Sequence, residues 1–239
     1  MRARIHQLQR REERPLILTA PGRPIRLFVF DLDGTLIDSI GDIAASANLS
    51  LVEAYGESAR LPQDIVRGFV GSGARLLVER CVAAVGRSPS DVDRIFDRFL
   101  VIYGSRLTQT TRLYPGMAEA LDRLETASRL GVLTNKPGGM SRTIVRDLGL
   151  EGRFIAVIGG DDLKTKKPDP EGLLSIAGQA GVAPEETALV GDSAVDIRTA
   201  RNAAAISVGV WWGYDREGMM GEKPDVVVEH PDELASLAK

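Results

Sequence analysis

In VFDLDGTLIDS, residues 29–39, two aspartates stand one residue apart, Asp31 and Asp33, directly behind an apolar run and ahead of Gly34-Thr35. Like charges that close repel unless a cation lies between them or one carries a proton, so the pair implies a divalent metal or an acid/base couple. An Asp-Gly turn that merely ends a strand would give the same letters. Further along, Thr134 and Asn135 follow Leu133 and offer a hydroxyl and an amide, which hold an anion's oxygens without adding charge. Lys167 precedes Pro168-Asp169-Pro170, a rigid approach to a helix that fixes where its ammonium points. In GDSAVDIRTA, residues 191–200, Asp192 ends a strand and Asp196 comes four residues later, on the same face if a helix begins at Ser193. Each set alone is also an ordinary cap or surface group. Together, at carboxyl ends of strands of one sheet, they point to a site.

Those strands are readable from the residues around the sets. Leu27-Phe28-Val29-Phe30 is too short for a helix and rich in β-formers, which predicts a buried strand of a parallel sheet ending at Asp31. Gly34 lets the chain turn sharply, so both carboxylates can face the crevice beyond the strand ends, where open α/β sheets bind ligands. Behind Asp38-Ser39, an N-cap pair, Ile40, Ile43, Ala44, Ala47, Leu51 and Ala54 recur at helical spacing. Two more amphipathic helices are expected around Leu76, Leu77, Cys81 and Val85 and through Val92, Ile95, Phe96 and Phe99, with no strand between 40 and 112. Beyond Tyr114-Pro115-Gly116, β-like runs at 130–133, 154–158, 187–190 and 206–210 alternate with helices, the pattern of parallel βαβ units. The expectation is an α/β fold, a doubly wound parallel sheet over 26–39 and 113–239, with 40–112 inserted as a helical cap that leaves from the crevice of the aspartates.

Composition narrows the classes. A chain of 239 residues, 44% hydrophobic and 26% charged, suits one α/β core with an insert. No apolar stretch approaches a membrane span. A formal charge of −3 argues against nucleic acid as the main partner. Cys81 is the only cysteine, so no intramolecular disulfide forms and a reducing cytoplasm fits. Residues 1–25 are arginine-rich and read as a flexible extension, with a basic arm as the alternative; they lack the apolar core of a signal peptide.

Taken together, DLDGT (31–35), Thr134-Asn135, Lys167 and GDSAVD (191–196) resemble the motifs of the haloacid dehalogenase superfamily in kind and order. Within it, GSGARLLVER (71–80), LYPG (113–116), LTNKP (133–137) and KKPDP (166–170) are most similar to phosphoglycolate phosphatases. The resemblance implies a Rossmann-like core and a Mg²⁺-dependent phosphatase of small phosphorylated metabolites. It makes Asp31 the nucleophile, which becomes an aspartyl phosphate, and Asp33 the acid and then base. Asp31 and Asp192 would hold the metal through side chains and Asp33 through its backbone carbonyl, with Asp196 orienting Lys167 or a bound water. Thr134 and Asn135 would hold the phosphoryl group and Lys167 would offset its charge. Sugar-phosphate, pyrophosphate and nucleotide phosphatases share such cores. A phosphoglucomutase-type isomerase is a further alternative. Dehalogenases lack the second aspartate that Asp33 supplies, and phosphonate hydrolases need an insert lysine that 40–112 does not contain. From another class, a response-regulator receiver also uses acidic residues, a Thr and a Lys, but places adjacent acids after its first strand and has no helical insert.

In the insert, Gly71-Ser72-Gly73-Ala74-Arg75 opens a helix whose free N–H groups favour an anion, and Arg75 is expected to meet a substrate carboxylate, with Ser72 and Gly73 beside it. The alternative pairs Arg75 with Glu79 on an exposed face. Three stretches depart from the family pattern: ETASRLGV (125–132) lacks a glycine cap, ARNAAAI (200–206) has alanine where glycine is common, and the arginine-rich leader has no counterpart in it.

Overall fold

The computed structural model describes residues 24–238, so the expected leader lies outside the described residues up to position 23. Strand β1, Leu27–Phe30, is fully buried, Leu27 and Val29 joining one hydrophobic cluster and Phe28 and Phe30 the other. This alternation requires helices on both faces of the sheet. The six parallel strands run in the order β5-β4-β1-β6-β7-β8, comprising β4 (Arg129–Leu133), β5 (Val157–Ile158), β6 (Thr187–Gly191), β7 (Ile206–Val210) and β8 (Val226–Val228). The chain fills positions on one side of β1 with β4 and β5 and then crosses to β6 on the other, which puts the topological switch at β1. Phe30 pairs with Val132 of β4 and Val190 of β6, so Asp31 emerges level with the ends of both neighbours.

Past β1, a short antiparallel ladder of β2 (Ile37–Asp38) and β3 (Arg112–Leu113) frames the insert. Between them lie α1 (Ile40–Tyr55), α2 (Gln63–Arg67), α3 (Ala74–Ala84) and α4 (Val92–Gly104). Asp42, in the first turn of α1, closes the base of the insert. Its buried carboxylate accepts from the backbone N–H and hydroxyl of Thr110 and of Thr111, at 2.8 to 3.1 Å. One hydrophobic cluster runs without a break from Phe30 through Leu36, Ile37 and Ile40 to Leu51, Ile95 and Phe99 of the insert. Behind the sheet, α5 (Met117–Leu124), α6 (Gly138–Asp147), α7 (Glu171–Ala180), α8 (Ala194–Asn202) and α9 (Arg216–Gly221) complete the two outer layers.

The expected strand at 154–158 shrinks to Val157–Ile158, because this edge strand ladders only to the last two residues of β4. β8 and the β2–β3 ladder were not anticipated: VVV (226–228) lies in an acidic tail without flanking pattern, and two-residue strands have no period to read. The glycine-free link after α5 closes by right-handed turns, with Glu125 in the αR region and Ser128 N–H bonded to Leu124 O. Ala204, by contrast, is held at φ 55°, the left-handed conformation in which glycine is unstrained.

Candidate active site

Asp31 follows β1 at the floor of a cavity of about 460 Å³, its open mouth included, that lies between the sheet's carboxyl edge and the insert. Lys167, just ahead of α7, donates from Nζ to Asp31 Oδ1 at 2.7 Å and to Asp196 Oδ1 at 2.6 Å. Burial would discharge this lysine, but the charges of Asp196 and Asp31 outweigh it and hold its pKa above the ordinary value. Asp196 Oδ2 accepts from Ser193 N–H and Oγ, closing a capping box at the start of α8. Both oxygens of Asp196 are therefore engaged in orienting Lys167 and the helix start.

Asp192 follows β6. It accepts from Thr35 Oγ1 at 3.2 Å and from Tyr214 N–H at 2.6 Å. Gly34 makes the approach possible: at its φ of 87°, a Cβ would sit 2.4 Å from Asp192 Oδ2. Carboxylate oxygens of Asp31, Asp192 and Asp196 lie within 4.8 Å of one another. Burial pushes Asp31 up to about 6, only partly offset by Lys167, and the negative charges of Asp196 and Asp33 add to the rise. Asp192 is raised well above the usual carboxylate range, first by burial and then by Asp196 and Asp31. Carboxylates crowded so that their charged forms are disfavoured fit a hard divalent cation with oxygen ligands.

The Asp33 side chain is not part of that triad. Lys136 Nζ donates to its two oxygens at 2.8 and 2.9 Å, and Ser39 Oγ donates to Oδ1. Ser39 is the N-cap residue of α1, yet it makes no side-chain cap bond, because its hydroxyl is used on Asp33. The backbone N–H groups of Ser39 and Ile40 donate instead to Tyr214 Oη, which donates to Asp38 Oδ1. Tyr214 thus bonds the root of the insert while its own N–H bonds Asp192.

Of the remaining sequence candidates, Thr134 lines the cavity, and its Oγ1 accepts from Lys136 N–H, leaving the hydroxyl hydrogen for another acceptor. Asn135 is also at the cavity, but its side-chain amide is committed to Gly71 O at 3.0 Å and Lys167 O at 3.2 Å, so it ties the insert to the core and is not free to hold an anion. Gly73 lines the cavity and caps α3, whereas the Ser72 carbonyl accepts from Lys166 Nζ. Arg75 corrects the expectation made for it. Its side chain is 53% exposed, bound to Asp93 at 2.6 Å and Glu79 at 3.3 Å and stacked over Phe96, and it is not among the cavity's lining residues. The cause is helical phase: Ala74 and Leu77 present one face of α3 to the cavity, and Arg75 with Glu79 occupies another.

Lys136 was missed. It is buried between core and insert, its ammonium 4.6 Å from the ring centre of Tyr103 of α4, and two carboxylate bonds keep it charged against its burial. The available signal was its place in LTNKP, directly behind the polar pair that ends β4.

Known proteins resemble this chain in sequence and fold. The family model of haloacid dehalogenase-like hydrolases matches residues 28–210. A phosphoglycolate phosphatase of Agrobacterium fabrum is 36% identical over 219 residues, covering 90% of this chain and 92% of its own. That of Mesorhizobium japonicum is 39% identical over 215 residues, covering 89% and 93%. The crystal structure of a predicted phosphoglycolate phosphatase from Haemophilus somnus superposes with a TM-score of 0.84 at 28% identity, over 91% of this chain and all of that one (100%). With its motifs at the strand ends of a parallel sheet and a helical cap over them, the chain belongs to the haloacid dehalogenase-like hydrolases.

Proposed function

We propose that this hydrolase is a Mg²⁺-dependent phosphomonoesterase of the cytoplasm that acts on 2-phosphoglycolate through an aspartyl phosphate. The observation that carries the reading is the separate pairing of the two aspartates: Asp31 with Lys167 and the acidic triad, Asp33 with Lys136 and Ser39, both open to one cavity. Groups of one type in two environments can take two roles. Asp31 Oδ attacks phosphorus in line and forms a P–O bond as the bond to the glycolate oxygen breaks. Asp33 gives that oxygen its proton. In the second step water attacks the same phosphorus, Asp33 takes the water's proton, and the carboxylate of Asp31 is released with inorganic phosphate.

Lys167, fixed by Asp196, neutralises charge beside Asp31, and the Thr134 hydroxyl donates to the phosphoryl oxygens. Asp31, Asp192 and the Asp33 backbone carbonyl are the proposed Mg²⁺ ligands, with Asp196 behind them. The ion, when bound, neutralises charge on the transferring group and offsets the repulsion between the carboxylates. Names of the relatives support 2-phosphoglycolate over other small phosphates. The test is turnover of 2-phosphoglycolate against a panel of sugar phosphates, pyrophosphate and nucleotides, with Mg²⁺ and with EDTA, and an acid quench to trap phosphorylated protein. Preference for 2-phosphoglycolate with a trapped acid-stable, base-labile phosphoprotein is expected; a better substrate elsewhere in the panel overturns the substrate, and turnover unaffected by EDTA overturns the metal.

A further inference from the structure

With Arg75 turned outward, a substrate carboxylate must be met by something else. The insert's side of the cavity is Ile43, Val70, Ala74, Leu77, Phe99 and Tyr103, of which only Tyr103 carries a polar group in its side chain. Tyr103 is 2% exposed, and its hydroxyl lies close to the Lys136 ammonium but makes no well-directed hydrogen bond with any described residue. A buried hydroxyl left unmet is costly and needs a partner. Beside it lies the Lys136 ammonium, over the Tyr103 ring, whose bonds to Asp33 do not exhaust its three donors.

Resting on the phosphatase reading above, we propose that Lys136 and Tyr103 form the subsite for the far end of the substrate, and that it takes a single carboxylate on a short chain with few hydroxyls. One donor comes from the core and one from the insert, so the carboxylate bonds across the boundary between them. The apolar remainder sets the class. A sugar phosphate entering here would give up several hydrogen bonds to water and find side-chain partners on the insert for only one, a loss that a buried apolar wall enforces. A two-carbon acid asks for no more than the two donors present.

Binding of two unreactive phosphonates measured by titration calorimetry tests this. 3-Phosphonopropionate copies the length of 2-phosphoglycolate and keeps its carboxylate, whereas propylphosphonate puts a methyl there. Wild-type protein with Mg²⁺ is expected to prefer the carboxylate form by about tenfold to a hundredfold, the worth of charge-assisted hydrogen bonds. Tyr103→Phe should shrink that ratio about threefold to tenfold, Lys136→Met should bring it close to one, and Lys136→Arg should retain part of it. If the wild type prefers the carboxylate and the variants keep the full ratio, the subsite is elsewhere while the substrate reading stands. If the wild type shows no preference, both fall. Should Lys136→Met fail to fold, Tyr103→Phe alone decides, since it removes one oxygen and keeps the packed ring.

Discussion

On the core side of the cavity Asp33 is bound to Lys136, and Asp31 to Lys167, which Asp196 also holds, with Asp192 close by, whereas the insert wall offers aliphatic and aromatic surface with one hydroxyl. Placing so many charges out of water is unfavourable unless each has a partner, and here Asp192 is met by Thr35 and Tyr214 while the others form two lysine–carboxylate groups. The phosphoryl end of a substrate therefore meets groups already oriented before it arrives. The insert wall works largely by exclusion, rejecting what cannot leave its hydroxyls in water. Charge and chemistry lie on the sheet; the helices add the apolar wall and one of the two donors proposed for selection.

Breaking the core wall at Asp31 should have the largest effect. Asp31→Asn is expected to lower kcat by about four orders of magnitude or more, since an amide is not a nucleophile. The same change should stabilise the metal-free protein. Asp31 is raised from 3.8 to about 6 in the fold, so the folded state holds its proton more tightly and the contribution is favourable below pH 3.8 and lost as pH rises through 6. Melting curves in EDTA should show the variant gaining on the wild type between those values, by on the order of 3 kcal/mol at neutral pH. A variant whose advantage shrinks with rising pH would contradict this.

Asp33→Asn comes next, and its size should depend on the leaving group. A general acid contributes about 10²- to 10⁴-fold, so 2-phosphoglycolate turnover should drop by that range while p-nitrophenyl phosphate, which departs unprotonated, loses far less. Equal losses on the two esters would remove Asp33 from the acid role.

At the joint between the two walls the expected effect is on stability. Asp42→Ala strands four donors that the carboxylate now satisfies, and should cost about 3–5 kcal/mol in urea unfolding. Despite burial, those donors hold the carboxyl below its usual range, so the stability it contributes is present above pH 3.8 and falls away as pH drops through the lower folded value. A loss under 1 kcal/mol would mean the joint holds through packing alone.

The smallest effect sharpens the comparison. Arg75→Ala removes exposed ion pairs, so it should shift stability by no more than about 1 kcal/mol and leave kcat/KM for 2-phosphoglycolate within about twofold. A tenfold fall in that constant would return Arg75 to substrate recognition.

What could be read from the sequence follows the same division. On the core side, the groups that punctuate strand ends were legible: Asp31 behind LFVF, Thr134 behind Leu133, Asp192 behind Gly191. Lys136 sat in a quoted motif, but a lysine reads as solvated until burial beside Asp33 is known. Asp42 was not singled out, because its partners are 68 and 69 positions away and no local pattern announces them. Arg75 was misread for a subtler reason. A helix start within residues 71–75 was foreseen, but which way each residue turns depends on how α3 is rotated against α4, and only tertiary packing sets that.

The Asp42 joint has a consequence for the chain as a polymer. By holding positions 42 and 110 together, one carboxylate closes the insert into a loop at its own base, so the sheet sees two neighbouring chain ends and not the length between them. Closure entropy grows only with the logarithm of loop length, about 0.6 kcal/mol for each doubling. A longer or shorter insert would therefore alter the core's folding free energy very little, and the present size of the insert answers to the shape of the cavity it covers, not to what the sheet can bear.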